Sequence, residues 1–223
     1  MLVHENVDVV YGEHVVFSKI EEIDENYILT HKNSLTKQVN GKGHDLLKFF
    51  VQDNIMVPIA PLFGRKIIDS VHFDPILKNC EDYDFWFQAA LKGFYFSYAA
   101  NLKTTCYYRR HVGNKSANSS KMNYALTVIK QKYMATIKNS YTDLYPALYK
   151  GFLLNQKRYL FGKDKKKTGD IIYTLKLAFK HKSIRLLLID IEYAIIPNKI
   201  WNVVHWNGGL IRYMKTKGKL NQQ

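Results

Sequence analysis

Two adjacent carboxylates, Glu81 and Asp82, stand where the sequence predicts that a helix over residues 81–92 begins. On that helix Asp82 shares a face with Phe85 and Trp86, at the spacings i+3 and i+4. The face is apolar, which predicts a carboxylate at the rim of a buried surface, within reach of the N–H groups of the first turn. A carboxylate held in this way suits a general base. The alternative is that acidic residues simply favour the first turn of a helix.

The elements around this helix alternate between strand and helix patterns. Short runs of β-branched and aromatic residues predict strands. The predicted strands lie at residues 7–11, 15–17, 27–29, 59–63, 94–99 and 103–108. Apolar spacing predicts a further helix at residues 44–52 and a helical turn at 65–70, and Gly93 is expected to end the helix at 81–92. Strands and helices in this order predict an α/β fold with a mixed sheet.

The second half of the 223-residue chain differs from the first in charge and in pattern. Residues 1–118 contain 13 Lys and Arg against 14 Asp and Glu, a net charge of −1; residues 119–223 contain 20 against 5, a net charge of +15. The second half is rich in aromatic residues, and its apolar spacing predicts helices almost throughout. These begin at Ser119 or Ser120 and continue at residues 141–161, 169–181, 183–196 and 199–215. We therefore predict two domains, 1–118 and 119–223.

Composition excludes several classes of protein. Hydrophobic residues make up 47% of the chain, which rules out a disordered chain. The two cysteines, Cys80 and Cys106, are too few for a disulfide framework or a cysteine-based zinc site, and a reducing, cytosolic setting is a simpler interpretation than one bridge between them. The N-terminus does not resemble a secretory signal, and no segment has the roughly 20 apolar residues that a membrane-spanning helix needs.

Four segments of the first domain resemble, in order and spacing, the family 2 glycosyltransferases, which have the GT-A fold. They are residues 8–12 (DVVYG), 73–77 (FDPIL), 81–86 (EDYDFW) and 108–116 (YRRHVGNKS). The resemblance covers residues 6–118. It implies a partial GT-A-like mixed sheet with helices, followed by the mostly α-helical basic region. It also implies transfer of a sugar, with inversion, from a nucleotide-sugar donor to a cell-envelope polysaccharide or a lipid-linked acceptor.

The resemblance assigns roles to several residues. Asp82, next to Glu81, matches the catalytic base, which takes the proton of an acceptor hydroxyl as the nucleotide diphosphate leaves the sugar. The diphosphate needs cationic help, for which Arg109 and His111 are the candidates. Arg109 can pair with phosphate oxygens through two parallel hydrogen bonds, and His111 can bind a divalent metal, Mg or Mn, which the family is expected to use.

Three of these assignments have ordinary structural alternatives. Trp86 either stacks on the acceptor or belongs to the core, as aromatic residues on the apolar face of a helix usually do. Arg65 lies either near the site or on plain surface. The basic residues from Arg109 to His111 form either the diphosphate contact or a solvated loop.

The resemblance further implies a nucleotide-binding half ahead of the first strand, with an Asp-x-Asp motif that holds the metal against the diphosphate. Six residues precede Val7, and Asp82-Tyr83-Asp84 matches that motif only by letter, because it lies in the helix-start segment. We interpret the chain as the C-terminal portion of such an enzyme: a fragment, a split-gene half or a degenerate copy. By itself it is expected to bind nucleotide sugars poorly and to turn over little.

The basic second domain allows three interpretations. The first is a peripheral contact with an anionic membrane surface, at the inner face of the cell membrane, through lysines and arginines beside Trp201, Trp206 and Tyr213. The second is a helical bundle with solvated charges. Nucleic-acid binding ranks third, because no zinc-finger, RNP-type or GXXG signature is present. In a different class, the whole chain is a non-catalytic membrane-associated or subunit-interaction module that keeps a remnant of the glycosyltransferase fold.

Overall fold

The structure, a computed structural model, describes residues 7–24, 27–28, 37–99, 106–111, 113–161, 168–180, 182, 184 and 187. It comprises two compact units. The first contains Met1–Val112 together with Tyr133–Leu148, and the second contains Gly113–Lys132 together with Tyr149–Gln223. The helix predicted at residues 199–215 lies outside the described residues, as does most of the helix predicted at 183–196.

The described part of the first unit contains two small sheets. Their strands are β1 (Val9–Gly12), β2 (His14–Phe17), β3 (Pro61–Phe63), β4 (Phe96–Ala99) and β5 (Cys106–Arg109). β1 is the middle strand of the larger sheet, antiparallel to β3 and parallel to β4, while β2 pairs in parallel with β5. Five of the predicted strands are therefore confirmed, and the fold is α/β with a small mixed sheet and helices.

The helices follow the predicted pattern closely. They are α1 (Gly43–Phe50), α2 (Arg65–Ile68), α3 (Glu81–Leu91), α4 (Ser119–Ser140), α5 (Tyr145–Phe161) and α6 (Thr168–Lys180). Gly93 follows the end of α3 with φ +80°, a left-handed conformation that glycine adopts without strain. The helix at 81–92 and its glycine stop are confirmed.

The strand predicted at residues 27–29 is wrong for the two residues that the structure describes. Tyr27 and Ile28 are helical. Asp24 explains the difference, because its carboxylate accepts a hydrogen bond from the N–H of Tyr27 at 2.6 Å, and its carbonyl oxygen accepts one from the N–H of Ile28 at 3.0 Å. An aspartate that caps a helical turn outweighs the β propensity of aromatic and β-branched residues.

An aromatic core orients α3 in the first unit. The ring centroid of Phe50 from α1 lies 6.3 Å from that of Tyr83 and 5.8 Å from that of Phe96, a residue of β4 in the larger sheet. The Tyr83 hydroxyl donates to the carbonyl of Phe50, and Trp86 meets Phe96 edge-on at 6.0 Å. These side chains are buried, and burial of each contributes about 1.5–3 kcal/mol. Because one face of α3 is fixed in this way, the orientation of its first turn is fixed as well.

The described part of the second unit is mostly helical. Helices α5 and α6 pack through the buried side chains of Leu153 and Ala178. Lys130 of α4 lies against Gly151 of α5, where an added Cβ would stand 3.0 Å from the lysine Nζ. Within the described ranges, no helix combines the length and the hydropathy needed to cross a membrane.

Candidate functional site

The first turn of α3 follows a strained residue. Cys80, directly before the helix, has φ 58° and ψ 23° and is buried. This left-handed conformation costs about 1–2 kcal/mol for a residue with a Cβ. Strained backbone of this kind is often found at functional sites. Here it directs the chain into a helix whose first two residues are Glu81 and Asp82.

Asp82 is a partly buried carboxylate with a side-chain hydrogen-bond donor. The amide Nδ2 of Asn54 donates to Oδ2 of Asp82 at 3.0 Å. Burial raises the pKa of Asp82, and the neighbouring charge of Glu81 raises it further, while hydrogen bonds from the backbone and from Asn54 act in the opposite direction. A carboxylate with a raised pKa holds a proton more tightly, which favours proton abstraction from a weak acid such as a hydroxyl.

Asp82 opens onto a cleft of about 570 Å³. That volume lies within the range of small-molecule binding sites. The cleft is lined by Pro58, Phe63, Phe73, Glu81, Asp82, Phe85 and Trp86. Its wall is therefore mostly aromatic, with two carboxylates on one side.

Two aromatic residues contribute to the wall in different ways. Trp86 is only 4% exposed and meets Phe63 edge-on at 5.2 Å, so most of its ring belongs to the core, as the structural alternative predicts. Phe73 is 60% exposed and stacks on Phe85 with ring centroids 4.6 Å apart. Phe73 rather than Trp86 offers an open aromatic face to a ligand.

The structure brings together three of the six residues that the sequence singles out. Glu81, Asp82 and Trp86 all line the cleft. The other three are not among its lining residues. Arg65 is the exposed first residue of α2, Arg109 is the exposed last residue of β5, and His111 is exposed two residues beyond it.

The environment of Asp84, the second carboxylate of Asp82-Tyr83-Asp84, is that of a core residue. It is fully buried and accepts hydrogen bonds from the Tyr133 hydroxyl at 2.6 Å and from Nε2 of Gln88 at 2.8 Å. Burial, with the hydrogen bond and charge of Asp84, raises the pKa of Tyr133. Asp84 therefore belongs to the core, which agrees with our reading that these three residues are not the metal-binding motif.

The described residues do not offer a donor set for the divalent metal that the resemblance implies. Nowhere in the described ranges do three or more His, Cys, Asp or Glu side chains come together so that they could hold a metal ion. Mg²⁺ needs oxygen ligands such as carboxylates. The carboxylate of Asp84 does not serve this purpose, because it already accepts two hydrogen bonds in the core.

Three features of the site were not indicated by the sequence: Asn54, the ligand-facing ring of Phe73, and Tyr133 as a partner of Asp84. Asn54 and Asp82 are 28 residues apart, and Tyr133 and Asp84 are 49 apart. No local spacing relates residues so distant along the chain. The one available signal was Asp53-Asn54 itself, a polar pair that directly follows an apolar helix.

Comparison of the chain with protein families, with curated proteins and with solved structures finds no match. The function is therefore inferred from the cleft and from the residues around it.

Proposed function

We propose that the chain is a glycosyltransferase-like protein in which Asp82 is the general base for an acceptor hydroxyl. The observation that carries the proposal is a carboxylate with a raised pKa at the wall of a ligand-sized aromatic cleft. The acceptor oxygen attacks the anomeric carbon of the donor sugar. The bond from that carbon to the diphosphate oxygen breaks, and its electron pair leaves with the diphosphate. The hydroxyl proton moves to Asp82, and the anomeric centre is inverted.

The lining of the cleft favours an acceptor rather than the donor diphosphate. Glu81 and Asp82 are both carboxylates, and the residues that line the described cleft include no lysine or arginine. Two carboxylates repel a diphosphate, whereas they accept hydrogen bonds from neutral hydroxyls. The open face of Phe73 fits the apolar face of a sugar ring. We assign the cleft to a neutral glycan, as part of a cell-envelope polysaccharide or a lipid-linked acceptor.

The donor diphosphate is proposed to bind outside the cleft. Arg109 and His111, at the end of β5, are the proposed contacts, and Arg65 at the start of α2 is a third. Arginine suits this role because its guanidinium pairs with phosphate oxygens through two parallel hydrogen bonds. Since the cleft itself supplies no cation for the leaving group, we expect slow transfer by the isolated chain.

The test is sugar transfer by the purified chain. UDP- and GDP-sugars are incubated with short neutral glycans and with a lipid-linked glycan over long times, and the released nucleotide diphosphate and the extended glycan are both measured. Asp82→Asn is compared with Asp45→Asn, a matched change at a carboxylate that is 75% exposed and pairs with Lys48. We expect transfer to be lost in Asp82→Asn and kept in Asp45→Asn.

A second candidate function is membrane association without catalysis, and helix α6 carries the observation that favours it. Thr174 and Ala178 are buried on one side of this helix. The opposite side exposes apolar and basic residues together, namely Ile172, Tyr173, Lys176, Phe179 and Lys180. Apolar side chains interspersed with lysines fit the interface of a bilayer that contains anionic lipids. Binding to a membrane is also compatible with catalysis, since an acceptor attached to a lipid is found at a membrane surface; the two candidates differ in whether sugar is transferred.

A further inference from the structure

Asn54 lies in the loop after α1, and two backbone contacts fix its position. Its N–H donates to Oδ1 of Asp53 at 2.9 Å, and its own Oδ1 accepts the N–H of Ile55 at 2.9 Å. Because the backbone N–H of Ile55 can only donate, the atom that faces it must be the amide oxygen. The amide nitrogen is therefore the atom that faces Asp82, at 3.0 Å from Oδ2.

We propose that Asn54 is the positioning residue of the base, which holds the Asp82 carboxylate in one orientation and keeps it ionised for proton abstraction. This inference rests on the proposed function of Asp82. A hydrogen bond donated to a carboxylate stabilises its charged form. The fixed amide of Asn54 therefore restrains the orientation of the Asp82 carboxylate and favours its ionised form, which can accept a proton.

The groups around Asp82 show why such a donor is needed. Glu81 is the neighbouring carboxylate, and its charge disfavours a second charge on Asp82. The thiol of Cys80 stays neutral, because burial and then the charges of Asp82, Asp53 and Glu81 raise its pKa. The backbone N–H groups of Tyr83 and Asp82 and the side-chain amide of Asn54 oppose burial and this repulsion.

The test is an NMR titration of the full chain, with the Asp82 carboxyl carbon and the side-chain amide of Asn54 both observed. Asn54→Leu keeps the size of the side chain and removes the donor. We expect it to raise the pKa of Asp82, because a donor to the charged form is lost. Gln52→Leu is the matched control, because Gln52 is an exposed amide two residues away that donates to the carbonyl of Lys48. It should leave the pKa of Asp82 unchanged.

The wild-type chain provides a readout that does not depend on a variant. Protonation of Asp82 should shift the Asn54 side-chain amide resonances with the same midpoint as the Asp82 carboxyl. An amide that does not respond, together with an unshifted Asp82 in Asn54→Leu, would overturn the positioning role.

Transfer kinetics separate this inference from the proposed function. If both hold, the acid limb of the pH–rate profile moves to higher pH in Asn54→Leu together with the pKa of Asp82, so that transfer at a fixed pH on this limb falls in proportion to the ionised fraction of Asp82. If Asp82→Asn transfers sugar normally, the proposed function fails even when the titration demonstrates the contact. If transfer needs Asp82 but Asn54→Leu changes neither the pKa nor the acid limb, only the positioning role fails.

Discussion

At the scale of single residues, the carboxylate of Asp82, the proposed base, carries a cost to the fold. Its carboxylate lies at the rim of an aromatic core, where burial disfavours the charged form. Cys80, two residues earlier, has a left-handed backbone that also carries strain. Two unfavourable features at one helix start are what we expect where function opposes stability.

The first prediction concerns the stability cost of Asp82. Because its pKa is raised in the folded state, the folded chain binds this proton more tightly than the unfolded chain. The stabilisation is fully present below the unfolded pKa, about 3.9, and is lost as the pH rises through the folded pKa. Asp82→Asn should therefore raise the free energy of unfolding at pH 7, with a smaller gain near pH 4. Urea unfolding at the two pH values measures this. A variant less stable than wild type at pH 7 would contradict the account.

At the scale of elements, helix α3 both packs into the core and holds the proposed base. Its buried face carries Tyr83, Phe87 and Asp84, and its first turn presents Asp82 to the cleft. Tyr133 of α4 stacks on Phe87 with centroids 4.5 Å apart and donates to Asp84. A distant helix thus stabilises the element that holds the proposed base.

The prediction at this scale is a pair of tyrosine changes in α4. Tyr133→Phe removes a hydroxyl that donates to a fully buried carboxylate, and it should lower the free energy of unfolding by about 1–3 kcal/mol. Tyr124→Phe removes a hydroxyl from a side chain that is 52% exposed, and it should change stability by less than about 0.5 kcal/mol. Chemical denaturation of both variants tests the pair. Equal effects would show that the Asp84 contact contributes nothing.

The sequence predicts those features of the fold and of the candidate site that depend on the local pattern of residues. The period of apolar residues and the Gly93 stop are properties of a few neighbouring residues, so α3 and the placement of Asp82 could be predicted. The burial of Trp86 follows from its place on the apolar face of α3, whereas the exposure of Phe73, which stacks on Phe85, depends on the tertiary fold. Asn54 and Tyr133 likewise reach α3 only through the fold.

At the scale of the whole molecule, the sequence divides its net charge between residues 1–118, at −1, and residues 119–223, at +15. The carboxylate-lined cleft lies in the first unit, and the exposed face of α6 that carries Lys176 and Lys180 lies in the second. Each unit thus has its own surface chemistry. The net charge of +14 is therefore a property of the second half and says little about the cleft.

The prediction at this scale is binding to lipid vesicles. The chain should sediment with vesicles that contain anionic lipid at low salt and not with neutral ones. Reversing the charge of Lys176 and Lys180 together, or changing Phe179 to Ser, should weaken binding by roughly tenfold or more. Ile76→Ser, a change at an apolar residue of the first unit that is 81% exposed, should not. Equal binding by all these variants would remove α6 as the contact.

If Asp82 removes the proton of an acceptor hydroxyl, as we propose, its loss must slow sugar transfer, and the transfer rate of Asp82→Asn measures this. A general base contributes about 10²–10⁴-fold to a rate. We predict a loss of at least about 100-fold in Asp82→Asn, with Asp45→Asn close to wild type and the fold of both variants intact. Transfer by folded Asp82→Asn at the wild-type rate would contradict it.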